Sequence, residues 1–331
     1  MSRVIVVTGA SAGVGRAVAR ALGARGDAVA LLARGEDGLQ AARREVEAAG
    51  GRALVCPVDV ADAAAVDAAA ARVEAQLGPI DAWVNCAMSA VLGFVHETEA
   101  EEFRRVNEVT YLGYVHGTLA ALRRMRPRDR GVIVMVGSAL AYRAIPLQAG
   151  YCAAKHAIRG FADALRCELM HERSTVKVTT VHLPGLNTPQ FGWVRTTLRR
   201  HPRPVAPVFQ PEVAADAILW AIDHPRREFF VGGSSVMTIV ANKLAPRVAD
   251  RFLARTNVDA QQTDDPIDPG RPDYLFAPLP GDAGAHGRFS GEAKSRSLAW
   301  WVTKRRARLG AVAATLAGAA AGYELLSSRR E

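Results

Sequence analysis

Cysteine pairs and metal-ligand patterns are the first features that this 331-residue chain lacks. Its four cysteines show no C-x-x-C or other ligand spacing and stand at Cys56, Cys86, Cys152 and Cys167. No metal site is expected, because protein metal sites are built from closely spaced ligands. The sequence also passes from Met1 directly into an apolar strand, without the regions of a signal peptide. We therefore expect a reducing, cytoplasmic setting.

Acidic residues are outnumbered by basic ones, 33 to 42, which gives a formal net charge of +9. Charge of this sign can attract nucleic acid, but the chain has no recognition motif and no interleaving of basic and aromatic residues. Nucleic acid is therefore not an expected partner. A content of 49% hydrophobic and 23% charged residues is typical of a globular protein, and the length predicts one main domain with an appendage.

Glycines are grouped where the first predicted strand ends. The apolar run Val4–Val7 leads into T-G-A-S-A-G-V-G, and a helical pattern follows. In such a unit Gly9 permits a tight turn, Gly13 lets backbone N–H groups approach a pyrophosphate, and Gly15 lets the helix lie close to its strand. The helix N-terminus then faces the anion. We predict a dinucleotide site here rather than a purely structural turn.

The end of the second predicted strand lacks the acidic residue that holds the ribose hydroxyls of NAD. The strand Ala28–Ala33 is followed instead by Arg34, a cation able to pair with the 2′-phosphate of NADP. We therefore predict NADP. NAD is the alternative, because Glu36 and Asp37 follow closely, and a solvated Arg34 is a third interpretation.

Polar residues also follow the third and fourth predicted strands. Asp59 comes after Ala53–Cys56 and suits either the exocyclic amine of adenine or the start of the next helix, which Asp62 suits as well. The strand Ile80–Val84 runs into Asn85 and then into small residues that leave space for a ribose. Both positions are expected at the ligand-binding edge of a parallel sheet.

The predicted chemistry lies between residues 137 and 155. The apolar run Gly131–Val136 predicts a buried strand that places Ser138 at the same edge. Tyr151 and Lys155 are four residues apart, which places them on one face of a helix. Bringing a phenol with a pKa of about 10 to titrate near pH 7 needs roughly 4 kcal/mol of preference for the phenolate. An ammonium about 5 Å away supplies about 3 kcal/mol at an effective dielectric of about 20, so Tyr151 is a candidate general acid or base.

Strand and helix patterns alternate along most of the chain. With Val176–Leu183 and Phe229–Val231, seven strands are predicted. The predicted fold is α/β, a Rossmann-like doubly wound parallel sheet with helices on both faces. One long helix is predicted over Glu99–Met125, with Asn107 in its interior, and another over Val240–Arg255.

Three segments are predicted along the chain. Residues 1–255 are expected to form the catalytic domain, residues 256–297 a Pro- and Gly-rich extension, and residues 298–331 a basic and apolar tail with a terminal apolar helix. Trp300 and Trp301 precede cations and an uncharged run, a pattern that suits an interfacial membrane anchor as well as a helix docked on protein. The run 309–323 is short for a bilayer span.

In their order and spacing these motifs resemble those of the short-chain dehydrogenase/reductase family. The matching elements are T-G-A-S-A-G-V-G, Asp59, N-C-A where the family has N-N-A-G, Asn107, Ser138, Y-C-A-A-K and P-G-L-N-T. The resemblance implies that Tyr151 is the acid or base and that Lys155 holds the nicotinamide ribose and lowers the phenol pKa. It further implies that Ser138 orients the substrate oxygen and that Asn107 positions a water in a proton relay.

The resemblance also implies the surroundings of the cofactor. The expected cofactor-binding residues are Thr8, Gly9, Ser11, Gly13, Val14, Gly15, Arg34, Asp59, Val60, Asn85, Ala87, Tyr151, Lys155, Pro184, Gly185 and Thr188. The implied function is an NADP(H)-dependent oxidoreductase that interconverts a carbonyl and an alcohol. Its expected partners are a small-molecule substrate, further copies of the chain in a homo-oligomer, and a membrane surface. The alternative function is a catalytically silent nucleotide-binding scaffold or sensor attached to a membrane.

The family places a substrate lid at the segment that corresponds to residues 186–212. Its apolar side chains are expected to line a pocket: Phe191, Trp193, Val194 and Leu198. Its cations are expected to meet either an anionic group or solvent: Arg195, Arg199, Arg200 and Arg203.

Overall fold

Seven parallel strands form the central sheet of the computed structural model, which describes residues 2–268 and 270–306. The strands are Val4–Thr8 (β1), Ala28–Ala33 (β2), Arg52–Pro57 (β3), Ile80–Asn85 (β4), Val132–Ser138 (β5), Lys177–Leu183 (β6) and Glu228–Phe230 (β7). Their order across the sheet is β7-β6-β5-β4-β1-β2-β3. The chain moves outwards from β1 to β3 and then returns to β4 on the other side of β1. This reversal creates the crevice at which such sheets bind ligands. The predicted fold class is confirmed.

Helices cover both faces of the sheet. They are Gly13–Gly23 (α1), Glu36–Ala48 (α2), Ala63–Leu77 (α3), Ala100–Asn107 (α4), Gly113–Met125 (α5), Ala149–His171 (α6), Gln190–Trp193 (α7), Pro211–Asp223 (α8), Gly233–Leu244 (α9) and Pro246–Thr256 (α10). Strand residues alternate between the two faces. Ile5 and Val7 pack with α1, α2 and α8, whereas Val4 and Val6 pack with α3, α5 and α6. Because helices cover both faces of the sheet, successive strand residues are mostly apolar, and the strands form nearly continuous apolar runs in the sequence.

Two predicted helices differ from those in the structure. The pattern Glu99–Met125 forms α4 and α5, which are joined by a π-helical turn over Glu108–Leu112. Turns of this kind are rare and occur often at functional sites. The pattern Val240–Arg255 forms parts of two helices, because Pro246 cannot continue α9 and instead begins α10.

Three short ladders hold the second half of the chain near the ligand-binding edge. They pair Val91–Leu92 with Arg195–Thr196, Gly185–Leu186 with Val208–Phe209, and Arg200–Pro202 with Gln262–Pro266. The last pair brings the Pro- and Gly-rich extension back onto the catalytic domain. The division of the chain into three segments stays a prediction.

The described part of the tail packs on the catalytic domain. Residues 298–306 are helical. The buried Trp300 ring lies 5.7 Å from the Phe229 ring, and its Nε1 donates to Asp216 at 2.6 Å. Lys304 Nζ donates to the same carboxylate, also at 2.6 Å. Trp300 is therefore part of the core rather than of a membrane interface.

The predicted apolar helix at 309–323 lies outside the described residues. Among the residues that are described, no helix combines the length and the apolar character needed to cross a bilayer. Membrane contact through the tail and the homo-oligomer stay predictions.

Trp300→Ala is expected to lower the free energy of unfolding by about 3–5 kcal/mol, because a buried aromatic ring is removed. The neighbouring Trp301 is the matched control, since it is 44% exposed. Trp301→Ala is expected to cost about 1 kcal/mol or less. Urea unfolding followed by circular dichroism measures both changes. Equal losses for the two variants would contradict the docking of residues 298–306.

Candidate active site

A cavity of about 560 Å³ lies along the carboxyl ends of the strands. The predicted site residues in its wall are Gly9, Ser11, Gly13, Val14, Gly15, Arg34, Asp59, Val60, Ala87, Ser138, Tyr151, Lys155, Pro184, Gly185 and Thr188. Three predicted residues are not part of this wall, namely Thr8, Asn85 and Asn107. The structure thus gathers most of the predicted site around one space.

The glycine turn has the close contacts that its sequence predicts. Gly9 has a φ of +71°, and a Cβ on it would lie 2.8 Å from Ala87 Cα. A Cβ on Gly15 would lie 2.2 Å from the carbonyl oxygen of Gly9, so only glycine lets α1 approach β1 this closely. Gly13 has a φ of +57°, and its N–H donates to the carbonyl of Gly284 at 3.0 Å.

Thr8 and Asn85 support the turn from below the cavity. The Thr8 hydroxyl accepts hydrogen bonds from the N–H groups of Cys86 at 2.9 Å and Ala87 at 3.1 Å. The fully buried Asn85 accepts from Trp83 Nε1 at 3.0 Å through its side-chain oxygen. Both side chains therefore hold the strand ends together, and neither reaches the cavity.

Ser138, Tyr151 and Lys155 meet at the end of β5. Ser138 is the last residue of that strand, and α6 presents Tyr151 and Lys155 on one face. Lys155 Nζ donates to the carbonyl of Val136 at 2.8 Å and to the hydroxyl of Tyr114 at 3.1 Å. It lies 5.4 Å from the centroid of the Tyr151 ring. The ammonium is therefore buried beside the phenol.

Burial controls the pKa values of this group. Burial lowers the pKa of Lys155 to about 7, because it disfavours the ammonium. Burial raises the pKa of Tyr151 well above its usual range, and a hydrogen bond with Ser138 opposes that shift only in part. The pKa of Tyr151 thus moves in the direction opposite to the expected lowering by Lys155. Tyr151 is protonated at neutral pH and has a proton to donate.

Asn107 does not join this group directly. It is the last residue of α4, and its side-chain amide donates to the carbonyl of Phe103 at 2.9 Å. Within the described part of the chain, Asn107 and Lys155 share no hydrogen bond. The π-helical turn that follows Asn107 leads into α5, which supplies Tyr114 to the ammonium. The predicted water relay through Asn107 stays a prediction.

Arg34 is held by backbone carbonyls at the far end of the cavity. Its guanidinium donates to the carbonyl of Tyr274 and, at 3.2 Å, to that of Leu275. Arg105 donates to the Leu275 carbonyl at 3.2 Å and pairs with Asp59. Burial, followed by the proximity of Arg105, lowers the pKa of Arg34. Arg34 is therefore partly buried and held by the chain rather than solvated.

The two interpretations of Asp59 separate in the structure. Asp62 is the N-cap residue of α3, since its carboxylate accepts a hydrogen bond from the N–H of Ala65 at 3.0 Å. Asp59 accepts from the N–H of Ala61 at 3.0 Å, pairs with Arg105 and lines the cavity. Its position is compatible with the predicted adenine contact, which stays a prediction.

Residues 271–290, here called the C-terminal strap, form part of the cavity wall. Gly281 N–H donates to Asp37 at 2.8 Å. Asp282 forms an ion pair with Arg16 at 3.2 Å. Two residues later, the Gly284 carbonyl accepts the hydrogen bond from the Gly13 N–H. Nothing in the Pro- and Gly-rich sequence indicated these contacts, which join the strap to α1 and α2.

Tyr274 of the strap reaches the apolar end of the cavity. Its hydroxyl accepts from the N–H of Ala90 at 3.0 Å. Its ring lies 6.1 Å from the ring of Trp193 and belongs to the same apolar cluster as Tyr151. Tyr274 is thus a wall of the space in front of the phenol, and sequence analysis missed it.

The predicted lid contributes apolar side chains to the cavity wall. None of its four arginines is among the residues that line the cavity. Phe191, Trp193 and Val194 line the cavity, and Leu198 is buried close by. Three of the four arginines meet carboxylates of the same chain: Arg195 with Glu102 at 2.6 Å, Arg200 with Asp264 at 3.9 Å and Arg203 with Glu292 at 2.6 Å. Arg199 is exposed, and the choice between an anionic group and solvent as the partner of these cations stays a prediction.

Comparisons with known proteins agree with this geometry. A family model described as short chain dehydrogenase matches residues 3–198. The uncharacterized oxidoreductase YxnA of Bacillus subtilis (strain 168) is 31% identical over 325 residues, which cover 96% of this chain and 90% of that protein. The 3-dehydrosphinganine reductase of Danio rerio is 34% identical over 192 residues, which cover 56% of this chain and 57% of that protein.

A solved structure gives the same result for the fold. The alcohol dehydrogenase from the archaeon Thermococcus sibiricus, complexed with 5-hydroxy-NADP, aligns with a TM-score of 0.61 at 27% identity. The alignment covers 70% of this chain and 96% of that chain.

Lys155 is expected to change protonation near pH 7 in the purified protein, because burial disfavours its charged form. The chain has five lysines, so selective ¹³C and ¹⁵N lysine labelling gives few signals. The signal that Lys155→Arg removes should shift between about pH 6 and pH 8. A signal that stays constant over this range would contradict the burial of the ammonium.

The lowered pKa of Lys155 also predicts the direction in which the free energy of unfolding changes with pH. Between its folded pKa and its unfolded pKa of about 10.4, Lys155 binds more protons in the unfolded chain, so stability rises with pH there. Lys155→Met lacks this titration. The unfolding free energy of the parent, relative to that of Lys155→Met, is therefore expected to increase from about pH 6.5 to about pH 8.5.

Proposed function

Because the chain belongs to the short-chain dehydrogenase family, we propose that this oxidoreductase uses NADP(H) to interconvert an apolar carbonyl compound and its alcohol. The observation that carries the proposal is the meeting of Ser138, Tyr151 and the buried Lys155 at one end of a cavity that begins at the glycine turn. A phenol, a hydroxyl and an ammonium around one point suit a reaction in which charge develops on an oxygen atom.

The residues present fit a nicotinamide dinucleotide. Gly9 and Gly15 let α1 lie close to β1, so the N-terminus of α1 faces the cavity, where a pyrophosphate would replace the Gly284 carbonyl as the acceptor of the Gly13 N–H. At the other end of the cavity, Lys155 and Tyr151 would hold the nicotinamide ribose. When bound, the cofactor supplies the hydride, which no protein side chain can supply.

Two neighbouring guanidinium groups support NADP over NAD. Arg34 and Arg105 both donate to the Leu275 carbonyl; Arg34 lines the cavity where the adenine ribose is expected, and Arg105 pairs with Asp59 beside it. Guanidinium groups bind phosphate through charge-assisted hydrogen bonds, which are stronger than bonds to neutral carbonyls. The solved relative from Thermococcus sibiricus carries an NADP derivative, which agrees with this assignment.

Tyr151 is the proposed acid. It is protonated at neutral pH, and the Ser138 hydroxyl lines the same part of the cavity. A carbonyl oxygen placed between these two hydroxyls would accept both hydrogen bonds as negative charge develops on it. Lys155 stabilises that charge from behind, since its ammonium lies beside the Tyr151 ring.

The substrate end of the cavity is apolar. Its wall includes Met88, Leu92, Ile145, Phe191, Trp193, Val194 and Tyr274. Apolar walls with a few convergent polar groups favour an apolar ligand that is oriented by one polar atom. The similarity to a protein named for 3-dehydrosphinganine points in the same direction. We therefore expect long-chain or otherwise apolar ketones, aldehydes or alcohols as substrates.

Tyr151→Phe is expected to lower turnover by about 10²- to 10⁴-fold, because the proton donor is lost while the ring remains. NADPH binding, followed by thermal shift, should be retained. Tyr111→Phe is the matched control, since its phenol lies outside the cavity wall. The assay is NADPH oxidation with a panel of apolar ketones and aldehydes.

Unchanged turnover of Tyr151→Phe would refute the assigned role. A parent protein that binds NADPH but turns over no member of the panel in either direction would favour the catalytically silent scaffold.

Arg34→Ala is expected to weaken NADPH binding, relative to NADH binding, by about 1–3 kcal/mol, because a charge-assisted bond to the 2′-phosphate is lost. The loss of the contacts from Arg34 to the strap would affect both cofactors alike, so the ratio of the two affinities isolates the phosphate. Arg43→Ala removes a charge of the same sign from the exposed face of α2 and is the control. Equal losses for NADPH and NADH would exclude Arg34 as the residue that reads the phosphate.

A further inference from the structure

Helices α9 and α10 expose most of their large apolar side chains. Met237 is 74% exposed, Leu244 80% and Phe252 63%. The exposed apolar residues of the two helices are Val236, Met237, Val240, Leu244, Val248 and Phe252, here called the apolar face. No residue of α10 is buried. Because apolar side chains normally face the core of a soluble helix pair, a cluster of this kind marks an interaction surface.

Cations accompany the apolar face at a regular spacing. Lys243, Arg247, Arg251 and Arg255 are four residues apart, and each of the first three comes directly before an apolar residue of the face. Within the described residues these four cations form no ion pair, so their charges are available to an outside partner. A helix with neighbouring apolar and cationic rows is typical of binding to an anionic lipid surface.

The single carboxylate of the two helices is already neutralised. Asp250 accepts from Arg143 at 2.6 Å, and Arg143 also donates to Asn242 of α9 at 3.0 Å. This arginine lies in the segment after Ser138 and joins both helices to it through polar contacts, of which the one to the exposed Asp250 lies at the surface. These contacts hold the helices without burial of the apolar face.

The apolar face borders the cavity. Ser234, Ser235 and Thr238 of α9 line it, as do Phe252 and Leu253 of α10. Phe252 is therefore both exposed to the outside and part of the cavity wall. A surface seated on this face would meet the substrate end of the site directly.

We propose that the apolar face and its four cations dock the enzyme on an anionic phospholipid bilayer, with the mouth of the cavity turned towards the lipid. Apolar side chains enter the headgroup region, while the cations stay at the level of the phosphates. The attraction falls off over about 8 Å at physiological ionic strength, so docking is salt-dependent. This inference concerns a surface and does not depend on the reaction proposed above.

Two other occupants are disfavoured by charge. A second copy of the chain, placed symmetrically on this face, would bring two sets of four cations together. Residues 307–331 of the same chain carry Arg308, Arg329 and Arg330 against Glu324 and Glu331, so they offer no excess of negative charge to the cations of α9 and α10. A lipid surface rich in anionic headgroups has the opposite charge.

The test is co-sedimentation of the full chain with vesicles of phosphatidylcholine alone or with added phosphatidylglycerol, at low and high salt. Two variants address the surface: Val248→Ser with Phe252→Ser for the apolar face, and Arg247→Gln with Arg251→Gln and Arg255→Gln for the cations. The control replaces three exposed cations near the opposite edge of the sheet, Arg44, Arg52 and Arg72, by Gln. Circular dichroism and thermal unfolding verify that each variant is folded.

The parent and the control are expected to bind the anionic vesicles at low salt, and each surface variant to lose about tenfold or more in partition coefficient. Binding of the parent should weaken at high salt and on neutral vesicles. Surface variants that bind like the control would overturn the proposal and assign membrane contact to another segment, such as the tail. A parent protein that binds none of the vesicles would also overturn the proposal. A dimer of the parent that dissociates in the Val248→Ser, Phe252→Ser variant would overturn it as well, because the apolar face would then bind a second copy of the chain.

Discussion

A buried ammonium that has no carboxylate partner among the described residues is the constraint on which the site depends. Lys155 is tolerated inside the protein because the Val136 carbonyl and the Tyr114 hydroxyl accept hydrogen bonds from its ammonium group. Those acceptors come from β5 and α5, while Lys155 itself belongs to α6. The strand β5 and the helices α5 and α6 must therefore keep their relative positions for the Lys155 ammonium to keep its hydrogen bonds. The same arrangement lowers the pKa of Lys155 to about 7, so the charge responds to whatever occupies the cavity.

The π-helical turn over Glu108–Leu112 is part of this constraint. An extra residue in one turn rotates the following helix relative to the one before it, by about 100°. The rotation decides which side chains of α5 face the sheet, and among these Tyr114 is buried beside Lys155. Asn107 stands directly before the turn and Tyr114 directly after the helix restarts. Asn107, which the sequence predicts in the interior of one long helix, thus marks the place where the helix changes its register.

Local sequence patterns predicted the features that are set locally. The seven strands followed from apolar runs, the glycine turn from its spacing, and the meeting of Tyr151 with Lys155 from one turn of a helix. Long-range contacts could not be predicted in this way. Tyr274 comes from a Pro- and Gly-rich segment without periodicity, and Arg105 reaches Asp59 from α4, which is distant in sequence. Arg34 lines the cavity, but nothing near it in the sequence indicated that carbonyls of the strap hold its guanidinium.

The strap supplies acceptors to hydrogen-bond donors in the cavity wall, where we propose that the cofactor phosphates bind. Gly13 donates to the Gly284 carbonyl, and Arg34 donates to the carbonyls of Tyr274 and Leu275. Buried donors without partners are costly, so neutral carbonyls stabilise the turn and the guanidinium until a stronger acceptor arrives. An anion is such an acceptor, because charge-assisted bonds are roughly twice as strong as neutral ones. The Tyr274 side chain stands in the apolar end of the same cavity, so one residue contacts Arg34 through its carbonyl and Trp193 through its ring.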